Sequence, residues 1–213
     1  MKILVTGFDP FGEDDINPSY EAVKKLPDKI GRFEIAKAEI PTVFRKSKDV
    51  LRELMVSDDF NFVLAVGLAG GRSEMCVERV AINMDDARIP DNENNQPIDE
   101  MIEQEGPPAY FSNMPVKKMV QAMDEAGVPS RLSNTAGTFV CNHVLYQLGS
   151  LADTEFPAVK FGFIHVPYAK EHAENKNRMP AMPLDDIVRG LHAAIEAMVD
   201  EGDDLRRPFG ELH

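Results

Sequence analysis

Tryptophan is absent from the 213 residues, and cysteine occurs only twice, at Cys76 and Cys141. Two thiols exclude a disulfide framework, so each is either buried filler or chemistry. Positive charge is scarce: 23 Lys and Arg stand against 36 Asp and Glu, a formal net charge of −13. So acidic a surface repels phosphate backbones and anionic headgroups, which removes nucleic acid and membrane surfaces from the expected partners. No apolar run approaches the ~18 residues of a membrane span, and Met1-Lys2 leads directly into ILVTG with no signal-peptide layout. The expected location is cytoplasmic.

Several binding fingerprints are missing as well. Gly7 and Gly12 have P-loop spacing, but Glu13 and Asp14 follow where Lys and Ser/Thr are needed, and two carboxylates repel phosphate. Gly67, Gly70 and Gly71 do not match the dinucleotide pattern G-x-G-x-x-G. The five histidines (His143, His165, His172, His192, His213) show no zinc-site spacing. Asp85, Asp86 and Asp91 are read as a solvated acidic loop in preference to a hard-cation site. No metal and no cofactor are expected.

What is present is a chain that is 43% hydrophobic and alternates strand and helix patterns. Strand-like runs cover residues 2–7, 33–40, 61–67, 129–135 and 158–166, several of them apolar on both faces, as in a buried parallel sheet. Helical periodicity appears at Val116, Met119, Val120 and Met123, and most cleanly from Leu184 through Ile187, Val188, Leu191 and Ile195 to Met198. Val43, Val50, Leu51 and Leu54 mark another helix, and Tyr20–Leu26 a short one entered through Asn17-Pro18-Ser19, where Asn or Ser can cap. The order predicts one three-layer α/β/α domain over residues 1–213 with a mostly parallel central sheet. Residues 68–113 form a hairpin and loop excursion, in which C-V-E-R-V-A-I-N-M (76–84) alternates like an exposed hairpin strand. The tail from residue 201 reads as a frayed terminus.

Ligands of parallel sheets sit beyond the carboxyl ends of the strands. Four turns gather there: Gly7–Gly12, Gly67–Arg72, Thr135–Asn142 and His165–Tyr168. Cys141 falls in the first turn of a helix leaving a strand, where unpaired amides and the positive dipole end favour thiolate and can face an oxyanion. The alternative is a buried cysteine packing as a small hydrophobe. A cysteine nucleophile needs a base and an orienting group. His165, at a strand end, suits the base better than His143, which points about 200° round the helix from nearby Cys141. Glu78 is the candidate third member, with a surface Glu paired to Arg79 or Arg88 as its alternative.

Together the motifs G-F-D-P-F-G…N-P-S, G-L-A-G-G-R-S-E…E-R-V-A-I-N-M-D-D-A-R-I-P-D-N, S-N-T-A-G-T-F-V-C-N and H-V-P-Y resemble the pyrrolidone-carboxylate peptidase (pyroglutamyl-peptidase I) family from residue 2 to about 195. The resemblance implies a cytosolic cysteine exopeptidase that removes N-terminal pyroglutamate from peptides, working as a homodimer or homotetramer. Its triad carries over as Cys141, His165 and Glu78. Phe11 and Phe139 would sandwich the lactam ring, with Phe8, Asn17, Leu68 and Val140 nearby and Arg88 close to the oxyanion or the acid. Core packing is the alternative for Phe8 and Phe139, and a structural salt bridge for Arg88. Two departures stand out: Leu68 where many members have Gln, and Cys76 where Ser or Thr is usual. The rival functions are a purine nucleoside phosphorylase-like enzyme on a similar architecture and a non-catalytic lactam-binding protein.

Overall fold

The strand β1 (Lys2–Phe8) is buried almost throughout, because its Ile, Leu, Val and Phe side chains have helices waiting on both faces. This computed structural model describes residues 1–173, 179–200 and 202–210. The chain continues through α1 (Pro18–Lys25), β2 (Lys29–Ile30), β3 (Phe33–Ile40), α2 (Phe44–Val56), β4 (Phe62–Leu68) and β5 (Met75–Glu78). It then forms β6 (Val80–Ile82), β7 (Ala109–Phe111), α3 (Val116–Glu125), β8 (Ser130–Ser133), α4 (Val140–Thr154), β9 (Lys160–Val166) and α5 (Leu184–Met198). Seven of the strands make one sheet in the order β2-β3-β1-β4-β9-β5-β8. The pairs β1/β3, β1/β4, β4/β9 and β5/β8 are parallel, whereas β2/β3 and β5/β9 are antiparallel.

Three layers result, as expected. On one face the apolar sides of α1, α3 and α5 close over Ile3, Val5, Leu64, Val66 and Ile164. On the other, α2 and α4 cover Leu4, Val63, Ala65, Phe161 and Phe163. Alternating strand residues thus serve opposite cores, which is why these strands read as continuous apolar runs. Helix α1 begins where Asn17 accepts from the Ser19 amide, the capping geometry its sequence suggests.

Two expectations are corrected. Residues 76–84 are not one exposed hairpin strand: all four residues of β5 are buried, wedged between β9 and β8 inside the main sheet. Only after Arg79 does the chain leave to pair β6 with β7, where Ile82 and Phe111 are exposed. The alternation misleads because it counts Glu78 as facing solvent, while its charge is met inside the protein. The tail is not simply frayed either, although residues 201 and 211–213 lie outside the described residues. Asp204 accepts from the amides of Lys117 (3.1 Å) and Lys118 (3.0 Å), capping α3 from 86 or more residues away. Phe209 packs against the core beside it.

Helix α3 has no capping side chain of its own, so Asp204→Ala leaves two amides at its positive end unpaired, at a cost of about 1 kcal/mol. A thermal melt should show Tm falling by about 2–4 °C. An unchanged Tm would mean that the Asp204 cap contributes nothing.

Candidate active site

The site is built across three adjacent strands. His165 lies near the end of β9; on one side its register partner is Gly67 of β4, and on the other Cys76 of β5. Glu78 stands two residues further along β5, on the same face as Cys76, which brings its carboxylate diagonally within reach of the imidazole. The Glu78 Oε1 to His165 Nδ1 distance is 2.7 Å, with Glu78 fully buried and His165 4% exposed. The surface-glutamate alternative is thereby overturned: neither Arg79 nor Arg88 is the partner. Its second partner is Arg72, whose Nη1 donates to the same Oε1 at 2.7 Å. Burial pulls the Glu78 carboxyl upward, but the hydrogen bond and charge of His165, with help from Arg72, outweigh it and hold the group below its ordinary 4.5.

Cys141 reaches this cluster from the opposite layer. Phe139 is the N-cap of α4, so Cys141 occupies the second helical position, among amides that have no intrahelical acceptor. Its sulfur rests over Gly67: a Cβ there would stand 2.9 Å from Cys141 Sγ and 2.7 Å from Phe163 Cζ. Glycine at this point of β4 is therefore the condition for a thiol beside His165's strand. Gly137, at φ +81°, turns the chain from β8 into the helix. The expected bias toward thiolate is reversed, since burial pushes the Cys141 thiol up to about 12, Glu78 adds to this and Arg72 opposes it. A thiol raised in this way depends on a neighbouring base to take its proton.

Two side chains that sequence reasoning missed hold the assembly. Asn142 Nδ2 donates to the carbonyls of Ile82 (2.9 Å) and Met84 (3.0 Å) while its Oδ1 accepts from the Ile82 amide (3.0 Å). It fastens the strand that follows Glu78 to the helix that carries Cys141. His143 Nδ1 is 2.7 Å from Asp85 Oδ2, both buried, behind Phe44 and Phe139. Asp91 accepts from the amides of Phe44, Glu93 and Asn95. Asp85 and Asp91 are thus internal struts of the 85–105 loop, correcting the solvated-loop reading, while Asp86 is exposed.

The remaining candidates lie around the same edge. Phe11 and Phe139 touch, with ring centroids 6.3 Å apart and planes tilted by 41°. Phe139 also packs edge-on against Phe44 at 5.2 Å. Phe8 and Val140 are buried core residues, Phe8 packing 6.3 Å from Phe163. Leu68 is buried at the end of β4, opposite Val166. The Asn17 side chain is occupied structurally: Oδ1 accepts from Ser19 N and Oγ, and Nδ2 donates to Asp9 O. Arg88 is exposed in the loop and forms no ion pair among the described residues; the arginine on the acid is Arg72.

A family model described as pyroglutamyl peptidase matches residues 1–201. The chain is 59% identical over 213 residues to a pyrrolidone-carboxylate peptidase of Staphylococcus saprophyticus, covering all of both chains. It is 55% identical over 215 residues to one of Streptococcus pyogenes, again covering both chains completely. Among solved structures, pyroglutamyl peptidase I of Bacillus amyloliquefaciens superposes with a TM-score of 0.92 at 45% identity, over 96% of this chain and 99% of that one. Pyrrolidone carboxyl peptidase of Thermococcus litoralis gives 0.92 at 34% identity, over 97% and 99%. The chain belongs to the pyroglutamyl peptidase family.

Leu68 and Cys76, the two positions expected to depart from the pyroglutamyl peptidase pattern, are both buried. Leu68 keeps its backbone in the β4/β9 ladder. Cys76 is a free, fully buried thiol to which Arg131 Nε donates at 3.4 Å.

Because Glu78 is held below 4.5 in the folded protein, its contribution to stability is complete above that pH and is lost as pH falls through the folded value. Chemical denaturation between neutral and strongly acid pH should therefore show a smaller acid-side loss for Glu78→Gln than for the parent. Parallel pH curves would show that Glu78 has the same proton affinity folded and unfolded.

Proposed function

We propose that residues 1–213 act as one catalytic domain that hydrolyses the amide bond following an N-terminal pyroglutamyl residue of a peptide, with Cys141 as nucleophile, His165 as base and acid, and Glu78 as the group that orients the imidazole. The observation that carries this reading is the buried Glu78–His165 hydrogen bond at 2.7 Å. A carboxylate accepting from Nδ1–H fixes the tautomer and leaves Nε2 as the free acceptor. Nε2 takes the thiol proton as Sγ bonds to the scissile carbonyl carbon. The carbonyl oxygen becomes an oxyanion facing the unpaired amides at the start of α4. Collapse breaks the C–N bond, and the proton held by His165 passes to the departing amine, leaving a thioester on Cys141. Water then gives a proton to Nε2 and attacks the thioester, and the returned proton frees the thiol together with pyroglutamate. A thiol that rests protonated makes His165 indispensable in the first of these steps.

The lactam is small, flat and uncharged, so its slot needs apolar walls and backbone donors and acceptors. Phe11 and Phe139 are the proposed walls. Three stacked layers need about 7 Å between the outer rings, so the present 6.3 Å contact has to open slightly as the lactam enters. Phe8, Leu68 and Val140 support the floor, Asn17 shapes the turn that carries Phe11, and Arg88 stands at the exposed rim. We place the activity in the cytoplasm and in a homodimer or homotetramer. A nucleoside phosphorylase would need a free cation in the glycine-rich turn, whereas Arg72 is committed to Glu78 and to the Thr135 carbonyl. A mere lactam-binding protein has no use for a carboxylate-tethered imidazole.

Opening the lactam to Gln or Glu creates an ammonium, which the apolar slot desolvates without supplying a partner. Initial rates with fluorogenic amides should therefore favour pyroglutamyl over Gln, Glu and Pro by at least about a hundredfold. Cys141→Ser should abolish turnover and Cys76→Ser should retain it. Comparable cleavage of a free-amine prolyl amide, or an active Cys141→Ser, would overturn the proposal.

A further inference from the structure

Arg72 sits in the turn between β4 and β5, just past Gly71 with its φ of +94°. Its side chain is 22% exposed, yet the guanidinium reaches inward to two places at once. Nη1 donates to Glu78 Oε1 at 2.7 Å and Nη2 donates to the Thr135 carbonyl at 3.2 Å. Oε1 is the same oxygen that His165 Nδ1 contacts. Thr135 opens the turn that leads to Cys141, and its hydroxyl in turn accepts from the Gly137 amide at 3.1 Å. One planar fork thus joins the segment bearing the acid to the segment bearing the nucleophile. A lysine, a point charge on a flexible stem, has no second donor held at a fixed angle to the first.

We propose that Arg72 is a positioning residue for the reaction: it locks Glu78 and the Thr135 turn into one unit, so that His165 meets Cys141 in a single orientation. The inference rests on the reading of Cys141, His165 and Glu78 given above. Its electrostatic side follows from the neighbours. The ionisable groups around the guanidinium are Glu78 and Cys76 of β5, His165 of β9 and Cys141 of α4, with Arg131 of β8 on the far side of Cys76, paired to Glu74 at 3.1 Å. While His165 is neutral, Arg72 is the cation that compensates the buried carboxylate. Loss of that cation strengthens proton binding at Glu78 and at Cys141, both of which Arg72 pulls down, so the acid limb of kcat/KM moves to higher pH.

The test is the pH profile of kcat and KM for a pyroglutamyl fluorogenic amide with the parent, Arg72→Met and Arg72→Lys. Arg72→Met should lower kcat at neutral pH by about tenfold or more, through misplacement of the imidazole, with little change in KM. Its acid limb should rise by about half a pH unit or more. Arg72→Lys should restore the limb toward the parent while recovering only part of kcat, because the charge returns without the fork. A residue that only stabilised the fold would alter the Tm and the active fraction and leave the limb in place. An Arg72→Met enzyme with the parent's kcat and limb overturns the proposal. Should Arg72→Met fail to fold, Arg72→Lys decides alone: full kcat shows the fork to be dispensable and overturns it. A parent enzyme inactive on the pyroglutamyl amide would instead overturn the assignment of function.

Discussion

A carboxylate with no solvent exposure is costly unless its charge is met by well-placed donors, and Glu78 is such a group. Much of the local architecture answers to it. β5 runs antiparallel to β9 within an otherwise largely parallel sheet, which sets Glu78 diagonally opposite His165. The glycine-rich turn before β5 doubles the chain back so that Arg72, six residues away, supplies the compensating cation. Loss of either partner would raise the carboxyl, and loss of the carboxylate would leave the imidazole without its tether.

The thiol is governed by space more than by charge. Gly67 leaves the only room in β4 for both Cys141 Sγ and the Phe163 ring, and Asn142, through three hydrogen bonds to β6 and the residues after it, sets how deeply α4 enters. The resulting burial raises the thiol against the pull of Arg72. The raised thiol and the imidazole tethered to Glu78 thus belong to one tightly packed corner around Gly67.

Much of the fold was legible because burial on both faces leaves a plain signature. β1, β4 and β9 show continuous or nearly continuous apolar runs, β3 alternates apolar residues with Glu34, Lys37 and Glu39, and α5 keeps an unbroken helical period. The candidate edge was legible for a related reason, since glycines and a lone His cluster where strands end. What escaped depends on partners distant in sequence. β5 looked two-faced because Glu78 carries a charge, and nothing local says that the charge is answered inside. Arg72 was overlooked in favour of Arg88 because a turn's return path is not written in residue types. Asp204 caps α3 across 86 residues, and Asp85 meets His143 across 58; neither pairing has a periodic pattern to announce it.

The claim on which everything else rests is that Cys141 forms the covalent bond to substrate. Acid quenching during turnover of an activated pyroglutamyl ester, followed by proteolysis and mass spectrometry, tests it directly. The expected result is a pyroglutamyl thioester on the peptide containing Cys141, absent when His165 is replaced by alanine. An adduct on the Cys76 peptide, or an undiminished adduct on Cys141 in the His165→Ala protein, would contradict it.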